Sequence, residues 1–279
     1  MQDATFNEIA NLALQETGQT FRASKAYLME ARLAPISRRE GFATLDDLAQ
    51  CLRARPNPRF RKEIAAALTA KRTQFFAERA VLDQIVNHAL PARLKHSKTG
   101  RLRVLCAGVS TGQEAWSLAI LLSELIDAPV SKADIEIVGT DVSTPALQQA
   151  EAASYGHFDV QKGLSIHRLM THFSRHDSGD WSLKAPLREH VKFRRHNLLS
   201  GTGELGQFDV ILCRDVLRDM APPSRQKATQ HLSEALLPGG YLFTGAAESL
   251  IAVVEGLNPA SDMRGAYIYR QPKHQSTAA

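Results

Sequence analysis

The sequence predicts an α/β fold, with a small antiparallel β-subdomain inserted into a mostly parallel sheet and a small all-helical domain in front of it. Three observations carry this. Residues 1 to about 80 place apolar side chains at helical spacing without a strand-like run. From Leu102 onward, short apolar runs alternate with amphipathic stretches, the rhythm of βαβ units. Between Ser154 and Asn197 that rhythm breaks into short alternating stretches.

Phe6, Ile9, Leu12 and Leu14 open the helical region, Tyr27, Leu28, Ala31 and Ile36 continue it, and Gly41 sits where a helix would stop. Thr44-Leu-Asp-Asp47 sets a cap three positions before an acid, and Asn57-Pro58 a cap followed by proline at the first helical position. Four short helices result, the fourth running to about Ala70, and a longer helix from about Gln74 to Leu94 links them to the next domain. Val104–Cys106, Ile135–Asp141, Phe208–Cys213 and Pro238–Thr244 read as strands, the last entered through a Pro-Gly-Gly hairpin. Glu114–Leu125, Thr144–Ala153 and Gln226–Leu237 read as helices. Gly265–Tyr269 is placed as an antiparallel edge. Asp180–Lys184 and His190–Arg194, separated by Pro186, are placed as antiparallel strands of the insertion. The expected boundaries are 1–80 for the helical domain, 81–100 for the linker helix and 101–270 for the α/β domain. The β-subdomain is expected at about 155–196 and a disordered tail at 271–279.

Hydrophobic residues make up 44% of the 279 positions, enough for a substantial core. No apolar run reaches the roughly 20 residues of a spanning helix, so membrane insertion is not expected. Met1-Gln-Asp-Ala-Thr-Phe-Asn-Glu-Ile9 lacks the blocks of a secretion signal. Cys51, Cys106 and Cys213 read as buried thiols, so a cytoplasmic location is expected. No Cys/His spacing points to a metal. The net charge of +5 is uneven: Arg22 to Arg79 holds 13 Lys/Arg against 6 Asp/Glu. Such a segment suits nucleic acid, an anionic membrane, an acidic protein or simply a solvated helical surface.

The chemistry centres on the turn after the first strand. Gly108, Ser110, Thr111 and Gly112 lie between a strand and a helix, where α/β proteins bind nucleoside cofactors. The turn is neither G-x-G-x-x-G nor a phosphate-binding Gly-Lys-Ser/Thr loop. Glu114 just behind it would repel a pyrophosphate but pair with a cation such as the ammonium of S-adenosylmethionine. Asp141, ending the second strand, is placed for ribose hydroxyls, and Asn197-Leu198 for the base. The plainer readings are a loop cap for Asp141 and a first-turn helix acid for Glu114.

These pieces resemble the CheR-type chemotaxis receptor methyltransferases over roughly residues 5 to 270. The likeness rests on Cys106-Ala-Gly-Val-Ser-Thr-Gly-Gln-Glu-Ala-Trp-Ser-Leu-Ala119, Val138-Gly-Thr-Asp-Val-Ser143, Asn197-Leu-Leu199, Phe208-Asp-Val-Ile-Leu-Cys-Arg214 and Leu237-Pro-Gly-Gly-Tyr-Leu242. The resemblance implies a Rossmann-like methyltransferase domain with a three-stranded β-subdomain, using S-adenosylmethionine and releasing S-adenosylhomocysteine. It implies cofactor contacts by Thr73, Glu114 and Asp141, adenine flanked by Asn197 and Leu198, and Arg214 and Asp215 at the methionine end. The implied substrate is a glutamate on an acidic helical segment of a bacterial chemoreceptor, facing the basic N-terminal domain. The β-subdomain would dock a receptor tail peptide.

The chain departs from the family pattern at Ala70-Lys71 for Thr-Asn, Ala77 for Arg, Ala115-Trp116 for Pro-Tyr, Asp215 for Asn and Asp219 for Tyr. Two functions therefore stand side by side. One is protein-glutamate methylation. The other is a catalytically weak or inactive relative that binds S-adenosylmethionine or its product and regulates a signalling partner. A nucleic-acid methyltransferase is not expected, since aromatics for base stacking are scarce in the basic segment.

Overall fold

A computed structural model describes residues 1–55, 57–69, 73–126, 128–251 and 253–270. By its contacts the chain divides into two units: Met1–Arg72 with Arg218–Lys227, and Thr73–Leu217 with Ala228–Ala279.

The first unit holds α1 (Asp3–Thr17), α2 (Ala26–Glu40), α3 (Leu45–Ala54) and α4 (Pro58–Leu68). The start and stop signals act as their chemistry requires. Gly41 ends α2 at φ 76°. Thr44 and Asp47 form a reciprocal capping box on α3, and Asn57 Oδ1 accepts the Arg59 and Phe60 amides at the head of α4. Ile9, Met29, Leu33, Leu48, Ile64 and Leu68 are fully enclosed, each contributing about 1.5–3 kcal/mol by leaving water. The distant segment completes this unit. The Asp219 carbonyl accepts from the Thr20 amide, the Gly18 carbonyl from Ala221, and Gln19 pairs with Met220 as an isolated bridge. Burial lowers the Arg32 guanidinium, and the Asp219 carboxylate opposes that shift.

The second unit opens with α5 (Arg79–Gln84), a π-helical turn (Ile85–Ala89) and α6 (Leu90–Leu94). Then come β1 (Arg101–Ala107), α7 (Gln113–Ser123), β2 (Asp134–Asp141), α8 (Thr144–Ala152), β3 (Ser154–Tyr155), α9 (His157–Gln161) and α10 (Ile166–His172). β4 (Phe173–Arg175), β5 (Trp181–Leu183), α11 (Ala185–Arg188), β6 (Val191–Arg195) and β7 (Phe208–Cys213) follow. The chain ends in α12 (Pro222–Glu234), whose first residues belong to the other unit, β8 (Leu236–Thr244), β9 (Leu257–Pro259) and β10 (Ala266–Tyr269). Seven strands form one sheet in the order β6-β2-β1-β7-β8-β10-β9. All neighbours are parallel except β10, which runs antiparallel to both β8 and β9. A second sheet, β3-β5-β4, is antiparallel. On the main sheet, Glu136 of β2 is bonded by Lys192 of β6 at 2.9 Å and by Arg103 of β1 at 2.8 Å. These two donors hold its carboxyl down at about 2.

Four expectations change. His190–Arg194 does not join the small antiparallel sheet; as β6 it pairs in parallel with β2, and the small sheet ends at Leu183. Apolar alternation looks the same for either edge strand, so the pattern alone could not choose the partner. The expected helix from Gln74 begins only at Arg79, because Phe76 and Glu78 adopt left-handed φ of 52° and 47°. It then widens to a π turn just before Pro91, whose missing amide and ring disrupt α-helical bonding. The Pro-Gly-Gly segment is no hairpin: β8 bulges there, Phe208 facing Leu236 and Val210 facing Tyr241. β10 is not the edge, since the three-residue β9 covers it. Ala70, Lys71 and the tail 271–279 lie outside the described residues. Cys106 and Cys213 are buried as expected, Cys51 only partly. Among the described residues, no helix is long and apolar enough to cross a membrane, and no three His, Cys, Asp or Glu side chains gather as metal ligands.

Candidate functional site

β1 lies between β2 and β7, so the connections leave it in opposite directions. Open α/β sheets place their ligand crevice at that reversal, beyond the carboxyl ends of the strands. The turn from β1 to α7 occupies this position. Gly108, Ser110 and Gly112 have φ of 71°, 53° and 93°. The amides of Gly108 and Val109 both donate to the Thr140 carbonyl, at 2.7 and 2.9 Å. A β-carbon on Gly112 would lie 2.8 Å from that of Ala150 on α8. Glycine is required there by both backbone angle and space.

Asp141 terminates β2 and is 8% exposed. One oxygen accepts the Ser110 amide at 2.9 Å and the other the Ser143 amide at 2.9 Å. Asp141 therefore does cap the turn. A carboxylate has about four acceptor positions, so this role leaves capacity for ribose hydroxyls. The Asp141 carbonyl accepts the His196 amide at 3.0 Å, which brings the following Asn197 and Leu198 to the same end of the sheet. Asn197 Oδ1 takes the Leu199 amide at 3.0 Å. Leu198 is buried, its carbonyl receiving His231 Nδ1 at 2.8 Å.

Glu114, in the first turn of α7, meets Arg214 just after β7. The guanidinium Nε donates to Glu114 Oε2 at 2.6 Å, Nη1 to Glu78 Oε2 at 3.2 Å and Nη2 to the Ala77 carbonyl at 3.1 Å. Burial pulls this guanidinium down, but Glu114, Glu78 and Asp215 outweigh it and hold it above its ordinary value. Three carboxylates thus surround one guanidinium, and the cluster favours a further cation. Beneath it, burial first and Glu114 second push the Cys106 thiol well up, Arg214 opposing. That thiol stays neutral and is no nucleophile. Thr73 is half-buried, and its segment is drawn to α7 by the Phe76 amide donating to Ser117 Oγ at 2.9 Å. Thr111 lies in the turn itself, its hydroxyl donating to Gln113 Oε1 at 2.7 Å.

Residues 71–263 match the family described as CheR methyltransferase, SAM binding domain, and residues 4–69 match its all-alpha domain. The chain belongs to the CheR methyltransferase family. It is 31% identical to a Pseudomonas putida protein named chemotaxis protein methyltransferase Cher2, over 81% of this chain and 83% of that one. It is 32% identical to chemotaxis protein methyltransferase 1 of Pseudomonas aeruginosa, over 87% of this chain and 89% of the relative. A Vibrio parahaemolyticus chemotaxis protein methyltransferase shares 28% over 91% and 92%. The reading of an inactive relative finds no support in these names.

In this CheR-family chain, reasoning from sequence missed two acids. Glu248 is buried, and its Oε2 accepts the Asp215 amide at 2.8 Å and the Gly245 amide at 2.9 Å. It thereby joins the loops that leave β7 and β8, holding Asp215 at φ 58°. An acid three residues past a strand-end glycine was the available signal. Glu78 carried no signal, because its role depends on a left-handed turn that no residue type announces.

Proposed function

We propose that this chain transfers a methyl group from S-adenosylmethionine to glutamate side chains of a chemoreceptor or related sensory protein. The observation that carries the reading is the Arg214–Glu114 pair beside the glycine turn, within the surplus of carboxylates. An amino-acid zwitterion fits such a pair: its carboxylate meets Arg214, and its ammonium meets Glu114 and Asp215. Asp141 takes the ribose, Gly108–Gly112 allow close backbone approach, and Asn197 and Leu198 flank the adenine. Thr73 adds a hydroxyl to the same ligand.

When bound, S-adenosylmethionine supplies a methyl group activated by its sulfonium. The acceptor carboxylate is already ionised near neutral pH, so the protein need not remove a proton. The carboxylate oxygen forms a bond to the methyl carbon as the carbon–sulfur bond breaks. Residues of this chain contribute by alignment and by excluding water, effects worth on the order of 100-fold when alignment is lost. At Ala77 itself the backbone carbonyl accepts from Arg214 Nη2.

The basic stretch from Arg22 to Arg79 supports an acidic helical substrate. The outer positions of β3 and β4 in the small sheet support strand addition by a receptor tail peptide. A cytoplasmic location follows from a receptor substrate of that kind. Incubation with methyl-labelled cofactor and receptor cytoplasmic fragments should give base-labile methyl esters. Absence of label on every receptor fragment from the same cell would reject the reading.

A further inference from the structure

Tyr155 of β3 belongs to none of the motifs assigned to the cofactor. Its hydroxyl nevertheless donates to the Thr111 carbonyl at 2.7 Å, in the middle of the glycine turn. The same peptide unit is held at its other end, where the Gly112 amide donates to the Val109 carbonyl at 3.1 Å. Because a peptide unit is planar and stiff, these two bonds fix its orientation.

The ring behind the hydroxyl is equally constrained. Tyr155 is 1% exposed and meets Phe75 edge-on with centroids 5.0 Å apart. Phe75 meets Phe173 of β4 in the same way at 5.5 Å. A β-carbon on Gly163 would lie 1.8 Å from the Phe75 carbonyl oxygen, so the backbone itself closes over this segment. Burial first, with Asp159 adding to it and Trp116 opposing, raises the Tyr155 phenol well above its ordinary value. The hydroxyl stays a donor throughout the physiological range.

We propose that Tyr155 is a positioning residue for the cofactor: its hydroxyl orients the Thr111–Gly112 peptide, and its ring ties that turn to the small antiparallel sheet. The proposal rests on the reading that the Gly108–Gly112 turn receives S-adenosylmethionine.

Tyr155→Phe removes the hydroxyl and keeps the ring. Calorimetry with S-adenosylhomocysteine should show the dissociation constant rising about 5- to 10-fold, the loss expected for one hydrogen bond. With substrate available, KM for S-adenosylmethionine should rise by the same factor while kcat at saturation stays within about two-fold. A hydroxyl that only stabilises the fold would lower the melting temperature when removed and leave the affinity alone. An unchanged dissociation constant in the folded variant therefore overturns the proposal. Hydrogen exchange on the unaltered chain gives an independent reading. Saturating S-adenosylhomocysteine should slow the amides of Ser154 and Tyr155 together with those of Val109–Gly112. Protection confined to the turn overturns the coupling. No binding by the unaltered chain would remove the cofactor assignment as well, which separates the two failures.

Discussion

At the scale of single residues, the site is held by buried polar groups whose partners are mostly backbone amides. Glu248 shows the consequence. Its carboxylate gathers amides from two loops, so truncation leaves buried donors without an acceptor. Glu248→Ala should cost about 3 kcal/mol in urea unfolding, whereas Glu248→Gln, which keeps an acceptor oxygen, should lose clearly less. Equal losses would mean that packing, not hydrogen bonding, is what this side chain supplies. The placement of Gly108, Gly112, Glu114 and Asp141 around the strand-to-helix turn was legible in the sequence, because such a short turn leaves few alternatives for glycine and acid. Glu114 was legible as an acid but not as the partner of Arg214, since the two stand a hundred positions apart in sequence and meet only through sheet order.

At the scale of elements, caps and apolar runs survived, whereas the helix start at Gln74, the Pro-Gly-Gly hairpin and the partner of β6 did not. The capping box of Thr44 and Asp47, the Asn57 cap and the apolar cores of β1, β2 and β7 act through neighbours in sequence, and all formed. β6 was read with the wrong partner because its alternation says nothing about which strand lies beside it. Its pairing is reinforced by Glu136, which bonds Lys192 on β6 and Arg103 on β1. The Glu136 carboxyl, held at about 2 in the folded chain, has an ordinary value near 4.3 when unfolded. A depressed folded value means that the unfolded chain takes up the proton first as pH falls. The stabilisation is complete above about pH 5 and disappears towards pH 2. Urea midpoints of the wild type and Glu136→Gln should differ most near neutrality and converge through that window. A difference independent of pH would show that the carboxylate charge does not act there.

At the scale of the whole molecule, one number in the sequence carries a test of the substrate. The stretch from Arg22 to Arg79 has an excess of seven positive charges, while the entire chain has only five. The remainder is therefore slightly acidic, so under the proposed function an anionic partner would be attracted by the helical region, while the carboxylates around Arg214 would serve the cofactor. These charge distributions act over different distances. Attraction between a basic surface and an acidic receptor segment runs through solvent and is screened within about 10 Å at 0.1 M salt and about 3 Å at 1 M. Arg214 is buried and bonds the half-buried Glu114 at 2.6 Å, so salt reaches that pair weakly. Raising salt from about 0.1 to about 0.5 M should increase KM for a receptor fragment several-fold, with kcat nearly constant. The S-adenosylhomocysteine dissociation constant, measured in the same buffers, should move by less than about two-fold. A flat KM would detach the basic stretch from substrate recognition. A parallel rise in both constants would locate the salt effect in the cofactor pocket instead. Only divergence between the two agrees with a chain that attracts its protein substrate through one surface and holds its methyl donor by another.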